Sequence, residues 1–219
     1  PAIFGYFRTL EYKDLGFHKP IMLAGGIGSI KEVQIKKGVP KAGDVVIVLG
    51  GPAMLIGLGG GSASSTKKTN DNADLDFASV QRSNPEMQRR AQQVLDKFNE
   101  RSSKNPITFI HDVGAGGISN AIPELAKDTN LGVEINLENI DSADQTMSPM
   151  ELWCNESQER YVFTIPTKKL RALEDICRKE RCPFSIAGYL TEDKIVKIKF
   201  YEDEIVNLHL DDLFGEIPL

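Results

Sequence analysis

Four short segments of the sequence combine glycine turns with polar side chains of the kinds that bind phosphates, sugars and metal ions. They are GGPAMLIGLGGGSASS at 50–65, DLDFASVQR at 74–82, HDVGAGG at 111–117 and ELWCNESQER at 151–160. Glycine adopts positive φ without strain and lets backbone N–H groups approach an anion closely. Each of the four segments could therefore form part of a ligand site, and each also has a purely structural interpretation.

The first segment follows VVIVLGG at 45–51, an apolar β-branched run typical of a buried strand. It is not a P-loop, because no GK[ST] follows at the required spacing, and it lacks the third glycine of the dinucleotide-binding fingerprint. The pattern alone leaves two interpretations open: a structural turn, or a loop that binds phosphate or substrate.

In the HDVGAGG segment, His111 and Asp112 end the strand pattern ITFI, and the glycines lead into a predicted helix. Ligands of open α/β sheets bind at the carboxyl ends of strands, and a helix N-terminus favours anions. Asp112 would be a hard oxygen ligand for Mg²⁺. The alternative, equally supported by the sequence, is that Asp112 caps the helix beside a hydrogen-bonded histidine.

In the ELWCNESQER segment, Glu156, Ser157 and Gln158 lie between Trp153 and a predicted strand. Polar groups placed beside an aromatic side chain are typical of ligand pockets. The alternative is a solvated turn with Trp153 in the core. Cys154 would need a neighbouring base to act as a nucleophile, and no histidine lies near it in the sequence.

The DLDFASVQR segment offers an amide and two carboxylates. Gln81 could hydrogen-bond a sugar or an amide, while Asp74 and Asp76 could bind a metal or cap the following helix. The sequence supports the capping role at least as well as the metal.

Hydrophobic periodicity predicts the elements that position these segments. Helices are predicted over 84–103, with Asn84 as N-cap and Pro85 in the first turn, and over 167–181. Strands are predicted from alternation in VEINLENI, in RYVFTIP and along 184–210. Mixed strands and helices predict a layered α/β or α+β domain.

Composition excludes several classes of protein. The chain has 219 residues, 41% of them hydrophobic, and a formal net charge of −5 with scattered basic residues, so we expect a globular core and no nucleic-acid partner. No apolar run approaches the roughly 20 residues of a membrane helix, and no secretory signal is visible. The three cysteines, Cys154, Cys177 and Cys182, are predicted to be reduced thiols of a cytoplasmic protein.

In their order along the chain, these segments closely resemble the central region of the large, single-chain phosphoribosylformylglycinamidine synthases. GYF at 5–7, HKPIMLAGGIG at 18–28 and MSPMELWCNESQERY at 147–161 add to the resemblance, which covers practically the whole sequence. In that family, ATP phosphorylates the amide oxygen of formylglycinamide ribonucleotide, and ammonia from glutamine displaces the phosphate.

The resemblance implies a fold and a division of the chain. Residues 41–219 are expected to form a three-layer α/β/α C-type domain of the aminoimidazole ribonucleotide synthetase superfamily, partly ferredoxin-like. Residues 1–40 are expected to be the end of an N-type domain and a linker. The start at Pro1 fits a piece of a longer protein, and processing would leave the same start. Because the family's ATP-binding glycine motif, its catalytic histidine and its glutaminase triad are not in this sequence, we expect the piece to be inactive alone and to have no catalytic residues of its own.

The resemblance also implies ligands and roles. Gln81 and the Glu156, Ser157 and Gln158 turn would contact formylglycinamide ribonucleotide, Asp112 would bind Mg²⁺, and Gly5, Tyr6 and Phe7 would border an ATP site. His111 is a weaker candidate. Expected partners are the N-type domains and the glutaminase of the same polypeptide. The alternatives are a related enzyme, such as aminoimidazole ribonucleotide synthetase or selenophosphate synthetase, and a binding module without activity.

Overall fold

The computed structural model describes residues 5, 10–16, 25–58, 84–101, 105–114, 116–157 and 159–215. It divides into two compact units, residues 1–31 and 32–219. In the first unit, strands β1 (Glu11–Tyr12) and β2 (Leu15–Gly16) pair as a short antiparallel hairpin. The assignment of residues 1–40 to an N-type domain and a linker stays a prediction.

The second unit is built on a seven-stranded sheet. Its strands are β3 (Val45–Gly50), β4 (Phe109–Asp112), β5 (Gly132–Asn136), β6 (Arg160–Ile165), β7 (Phe184–Thr191), β8 (Ile195–Phe200) and β9 (Asp203–His209). Its described helices are α1 (Pro85–Asn99), α2 (Ile118–Thr129), α3 (Pro149–Cys154), α4 (Leu170–Glu180) and α5 (Leu210–Phe214).

The strand order β4-β6-β3-β7-β5-β8-β9 contains the predicted ferredoxin-like unit. Strands β3, β4, β6 and β7 are antiparallel to their neighbours, and α1 and α4 connect β3 to β4 and β6 to β7. This is a βαββαβ arrangement. The sheet then continues through β5, which pairs antiparallel with β7 and parallel with β8, so the sheet is mixed.

Helices cover both faces of the sheet, which confirms the predicted three layers. Because strand side chains alternate between faces, Val45, Ile47 and Leu49 of β3 pack with α1 and α4, whereas Val46 and Val48 pack with α2. All six residues of β3 are buried. The uninterrupted apolar run of this strand follows from its burial on both faces.

Local sequence signals define helix α1 as predicted. The Asn84 side chain accepts a hydrogen bond from the backbone N–H of Met87 at 3.1 Å, and Pro85 occupies the first turn. The apolar positions, among them Val94 and Phe98, face the core.

In the part of the chain that the structure describes, no helix is long and apolar enough to cross a membrane.

The packing of α1 predicts a large loss of stability for Phe98→Ala. Phe98 is fully buried between α1, α4 and the sheet. Removing its ring should lower the free energy of unfolding by about 3–5 kcal/mol. Urea denaturation followed by circular dichroism measures the change. Arg89→Ala, an exposed position on the same helix, should stay within about 0.5 kcal/mol of the parent; equal losses would contradict the packing.

The pair formed by Glu134 and Lys199 predicts a pH dependence. The Lys199 ammonium donates to Glu134 Oε1 at 2.7 Å and lowers the pKa of this carboxyl in the folded state. A lowered folded-state pKa stabilises the protein above the ordinary glutamate pKa, about 4.3, and the contribution is lost as the pH falls through the folded value.

Glu134→Gln should therefore reduce stability at neutral pH, and the difference from the parent should vanish under acidic conditions. Urea denaturation at several pH values measures this. The exposed Glu192→Gln is the control and should show no such convergence. A Glu134→Gln difference that is constant from neutral to acidic pH would refute the role of the pair.

Candidate functional site

Three loops leave the sheet at one place, where β3 and β4 end and β6 begins. Both β3 and β4 run antiparallel to β6, so Gly50 lies opposite Arg160, and Asp112 lies opposite Tyr161. The loop after β3, the glycines after β4 and the residues before β6 therefore come together. The described parts of three segments that the sequence singled out, those at 50–58, 111–117 without residue 115, and 151–160 without residue 158, thus lie at this edge.

Residues 155–157, which we name the Glu156 turn, pack directly on the loop that follows β3. The backbone N–H of Glu156 donates to the Ile56 carbonyl at 2.8 Å. The Ser157 hydroxyl accepts from the Met54 N–H at 2.8 Å. Gly57 has φ of +67°, and a Cβ there would lie 2.4 Å from the Cβ of Glu156. The glycine is required both by its conformation and by this contact.

The glycines after β4 approach the same turn from the other side. The Gly116 N–H donates to Glu156 Oε1 at 3.1 Å. Gly117 has φ of +65°, and a Cβ on it would lie 2.0 Å from the Asn155 carbonyl oxygen. The glycines of HDVGAGG thus have a structural role, because they leave room for the backbone of the Glu156 turn.

Asp112 lies at the carboxyl end of β4 with an exposed side chain. Its Oδ2 lies beside the glycine loop, 3.9 Å from where a Cβ on Gly114 would be. The alternative in which Asp112 is the N-cap of the next helix is wrong, because the N-cap of α2 is Gly117. Its carboxylate is exposed beside the glycine loop.

The His111 side chain lies near Asp128 and Phe109, away from this edge of the sheet. Its Nε2 lies 3.4 Å from Asp128 Oδ2 on α2, without hydrogen-bond geometry, and its ring packs near Phe109. Adjacent strand residues point to opposite faces. His111 therefore packs against α2 and is not placed with Asp112.

The Glu156 turn is held rigidly. Glu156 and Ser157 are both buried. The Ser157 hydroxyl donates to Asn155 Oδ1 at 2.6 Å, so its proton is committed within the turn. Ser157 thus holds the turn in shape, while Glu156 carries the carboxylate at this edge.

The residues that build this turn were not predicted from the sequence. The turn follows α3, a short helix with a capping box in which Ser148 and Glu151 bond each other's backbone N–H. Asn155 is fully buried and donates to the carbonyls of Glu151 and Leu152 at 2.8 and 2.9 Å. The S-x-x-E pattern at 148–151 could have revealed this helix.

Several predicted site residues lie outside the described residues: Tyr6, Phe7, Gln81 and Gln158. Asn84, three positions after Gln81, donates its backbone N–H to Glu159 Oε1 at 3.0 Å. The start of helix α1 is therefore bonded to the residue that precedes β6. Gly5 belongs to the first unit, and its nucleotide role stays a prediction.

Among the described residues, no group of three or more His, Cys, Asp or Glu side chains could bind a metal. Burial raises the pKa of Cys177 to about 12 and that of Cys182 to about 11, which makes both thiols poor nucleophiles. Cys154 is half-buried and free.

A family model described as AIR synthase related protein, C-terminal domain, matches residues 41–200. The chain belongs to this family. Membership confirms the superfamily that the sequence resemblance indicated. The matched range contains β3 through β8 and the whole Glu156 turn.

Solved structures share the fold of this AIR synthase-related domain. Thermotoga maritima PurL complexed with FGAR is 22% identical with a TM-score of 0.71, over 85% of this chain and 30% of that one. The ATP complex of the same protein is 19% identical with a TM-score of 0.67, over 86% and 29%. A HypE–HypF complex is 15% identical with a TM-score of 0.54, over 77% and 53%.

The chain thus spans about a third or less of the PurL structures it matches. At these identities the likeness shows the fold, and it confirms the predicted fold class.

The contact between Gly57 and the Glu156 turn predicts a site-specific effect of Gly57→Ala. The added methyl group meets the root of the Glu156 side chain, which cannot rotate away. We expect a loss of stability about 1–3 kcal/mol greater than that of Gly43→Ala. Gly43 also has positive φ, +86°, but a Cβ there has no neighbour within 4 Å.

Urea denaturation measures both variants, and the fluorescence of Trp153, the single tryptophan, reports on α3 beside the turn. Only Gly57→Ala should shift the emission. Equal losses and unchanged emission in both variants would show that backbone strain alone matters at Gly57.

Proposed function

We propose that this chain forms one wall of the substrate site of a phosphoribosylformylglycinamidine synthase, a carbon–nitrogen ligase of purine biosynthesis that uses ATP and glutamine. The observation that carries the proposal is the meeting of the β3 loop, the Asp112 glycine loop and the Glu156 turn at one edge of the sheet. The resemblance of the motif segments to that enzyme supports it, as does the fold shared with a PurL solved with FGAR.

Gln81, Glu156, Ser157 and Gln158 would bind formylglycinamide ribonucleotide. Glu156 would accept hydrogen bonds from ribose hydroxyls or from the amide, since an ionised carboxylate is an acceptor only. Ser157 would contribute by keeping the turn in shape, because its hydroxyl is already bonded within it. The roles of Gln81 and Gln158 rest on the sequence resemblance alone.

Asp112 fits a role in binding Mg²⁺ beside a phosphate. Magnesium in phosphate sites is held by one or two protein carboxylates, with the remaining positions filled by water and substrate oxygens. A single exposed carboxylate at a strand end next to a glycine loop suits this pattern. When bound, the ion would neutralise charge on the transferred phosphate.

The other parts of the reaction would come from elsewhere in the complete enzyme. Gly5, Tyr6 and Phe7 would border the ATP site. The N-type synthetase domains would supply the catalytic groups, and a glutaminase would supply ammonia. We place the enzyme in the cytoplasm, where purine synthesis takes place.

Asp112→Asn in the full-length enzyme tests this assignment. Loss of the negative charge should lower turnover of formylglycinamide ribonucleotide by about 100-fold or more and raise the Mg²⁺ concentration needed for half-maximal rate. The thermal midpoint should change little because the side chain is exposed. Steady-state kinetics with a Mg²⁺ titration is the measurement.

Asp203→Asn, an exposed aspartate on β9 at the other edge of the sheet, is the matched control and should keep parental kinetics. Normal turnover in Asp112→Asn would remove Asp112 from the site. Preference of the parent for aminoimidazole precursors or selenide in a substrate panel would reject the proposed enzyme in favour of a relative.

A further inference from the structure

Arg160 lies directly behind the Glu156 turn as the first residue of β6, and it is only 2% exposed. Its Nε donates to the Ser157 carbonyl at 3.1 Å. Its Nη2 donates to the Asn155 carbonyl at 3.1 Å and to Asn155 Oδ1 at 2.7 Å. The guanidinium thus holds the residues on both sides of Glu156.

The charged guanidinium of Arg160 is removed from water, which disfavours its charged form. No carboxylate among the described residues forms an ion pair with Arg160, and its buried Nη1 has no hydrogen-bond acceptor there. Burial lowers the pKa of Arg160 to about 10. Burying a charge without a counter-ion is unfavourable, and an apolar side chain often serves stability better at such a site.

The hydrogen-bond pattern accounts for an arginine at this position. A planar guanidinium presents several N–H groups in a fixed fork and can hold two backbone carbonyls and an amide oxygen at once. A lysine ammonium cannot reproduce this geometry, and an apolar side chain offers no donor. The bonds restrict the backbone at Asn155 and Ser157, and so they orient Glu156 between them.

We propose that Arg160 is the positioning residue of the substrate site, fixing the Glu156 turn in the conformation that binds formylglycinamide ribonucleotide. This inference rests on the proposed function of the chain. Arg160 acts through the turn, with no contact to the reacting atoms. Its replacement should therefore weaken binding of the ribonucleotide and leave the binding of ATP, whose proposed contacts lie at 5–7, unchanged.

The test compares Arg160→Lys and Arg160→Met in the full-length enzyme. We expect the KM for formylglycinamide ribonucleotide to rise about tenfold or more in both variants. The KM for ATP and kcat at saturating ribonucleotide should stay within about twofold of the parent, the scatter expected where no interaction is changed. Arg178→Met, an exposed arginine on α4 that pairs with Asp175, is the control and should behave as the parent.

Thermal midpoints and near-UV circular dichroism establish that each variant is folded before its kinetics are compared. Lysine keeps the charge and loses the fork, so full ribonucleotide affinity in Arg160→Lys would show that charge alone matters and would overturn the proposal. The proposal would also be overturned if the KM for the ribonucleotide and the KM for ATP rose equally, or if the ribonucleotide KM stayed unchanged in both variants. Failure of both variants to fold would overturn it as well, because Arg160 would then be required for the core.

The failure of the proposed function is distinguishable from the failure of this inference. If the parent enzyme does not convert formylglycinamide ribonucleotide, the proposed function is rejected, and the substrate named for Arg160 falls with it. If the parent converts it and the ribonucleotide KM of both Arg160 variants equals that of the parent, only the positioning role is rejected.

Discussion

The candidate site depends on backbone approaches that only glycine permits. The Glu156 turn lies so close to Gly57 that a Cβ there would overlap the root of the Glu156 side chain, and Gly117 lies as close to the Asn155 carbonyl. These two contacts let loops from β3 and from β4 meet residues that precede β6. A side chain at either position would push the Glu156 turn away from these loops and would disturb the hydrogen bonds that Glu156 makes to Ile56 and Gly116.

The sheet topology makes these approaches possible. In the ferredoxin-like unit, β6 lies between β3 and β4 and runs opposite to both, so two strand ends and one strand beginning fall on one edge. The helices α1 and α4 cover one face, and α2 covers the other, so the strands that carry the loops are buried and rigid. A rigid frame of this kind positions polar groups at its edge more accurately than a free loop does.

Much of the fold could be predicted from the sequence, because its elements have strong local signals. The Asn84 cap and the apolar spacing to Phe98 defined α1, and the alternation in RYVFTI defined β6. Helices α3 and α5, with six and five residues, escaped prediction, since so few residues carry little periodicity. Of the site, the sequence indicated Asp112 and Glu156 by their places next to strands and glycines, but it gave no reason to single out Asn155 or Arg160.

By itself, then, the sequence determined the longer helices, most of the strands and the layered class, and it indicated segments that could form a ligand site. These properties depend on residue type and on short-range spacing. Only the tertiary structure decided which segments meet, that His111 packs away from Asp112, and that the Ser157 hydroxyl is committed to Asn155. It also revealed the buried Arg160 behind the turn, because burial and long-range hydrogen bonds arise only when distant parts of the chain pack together.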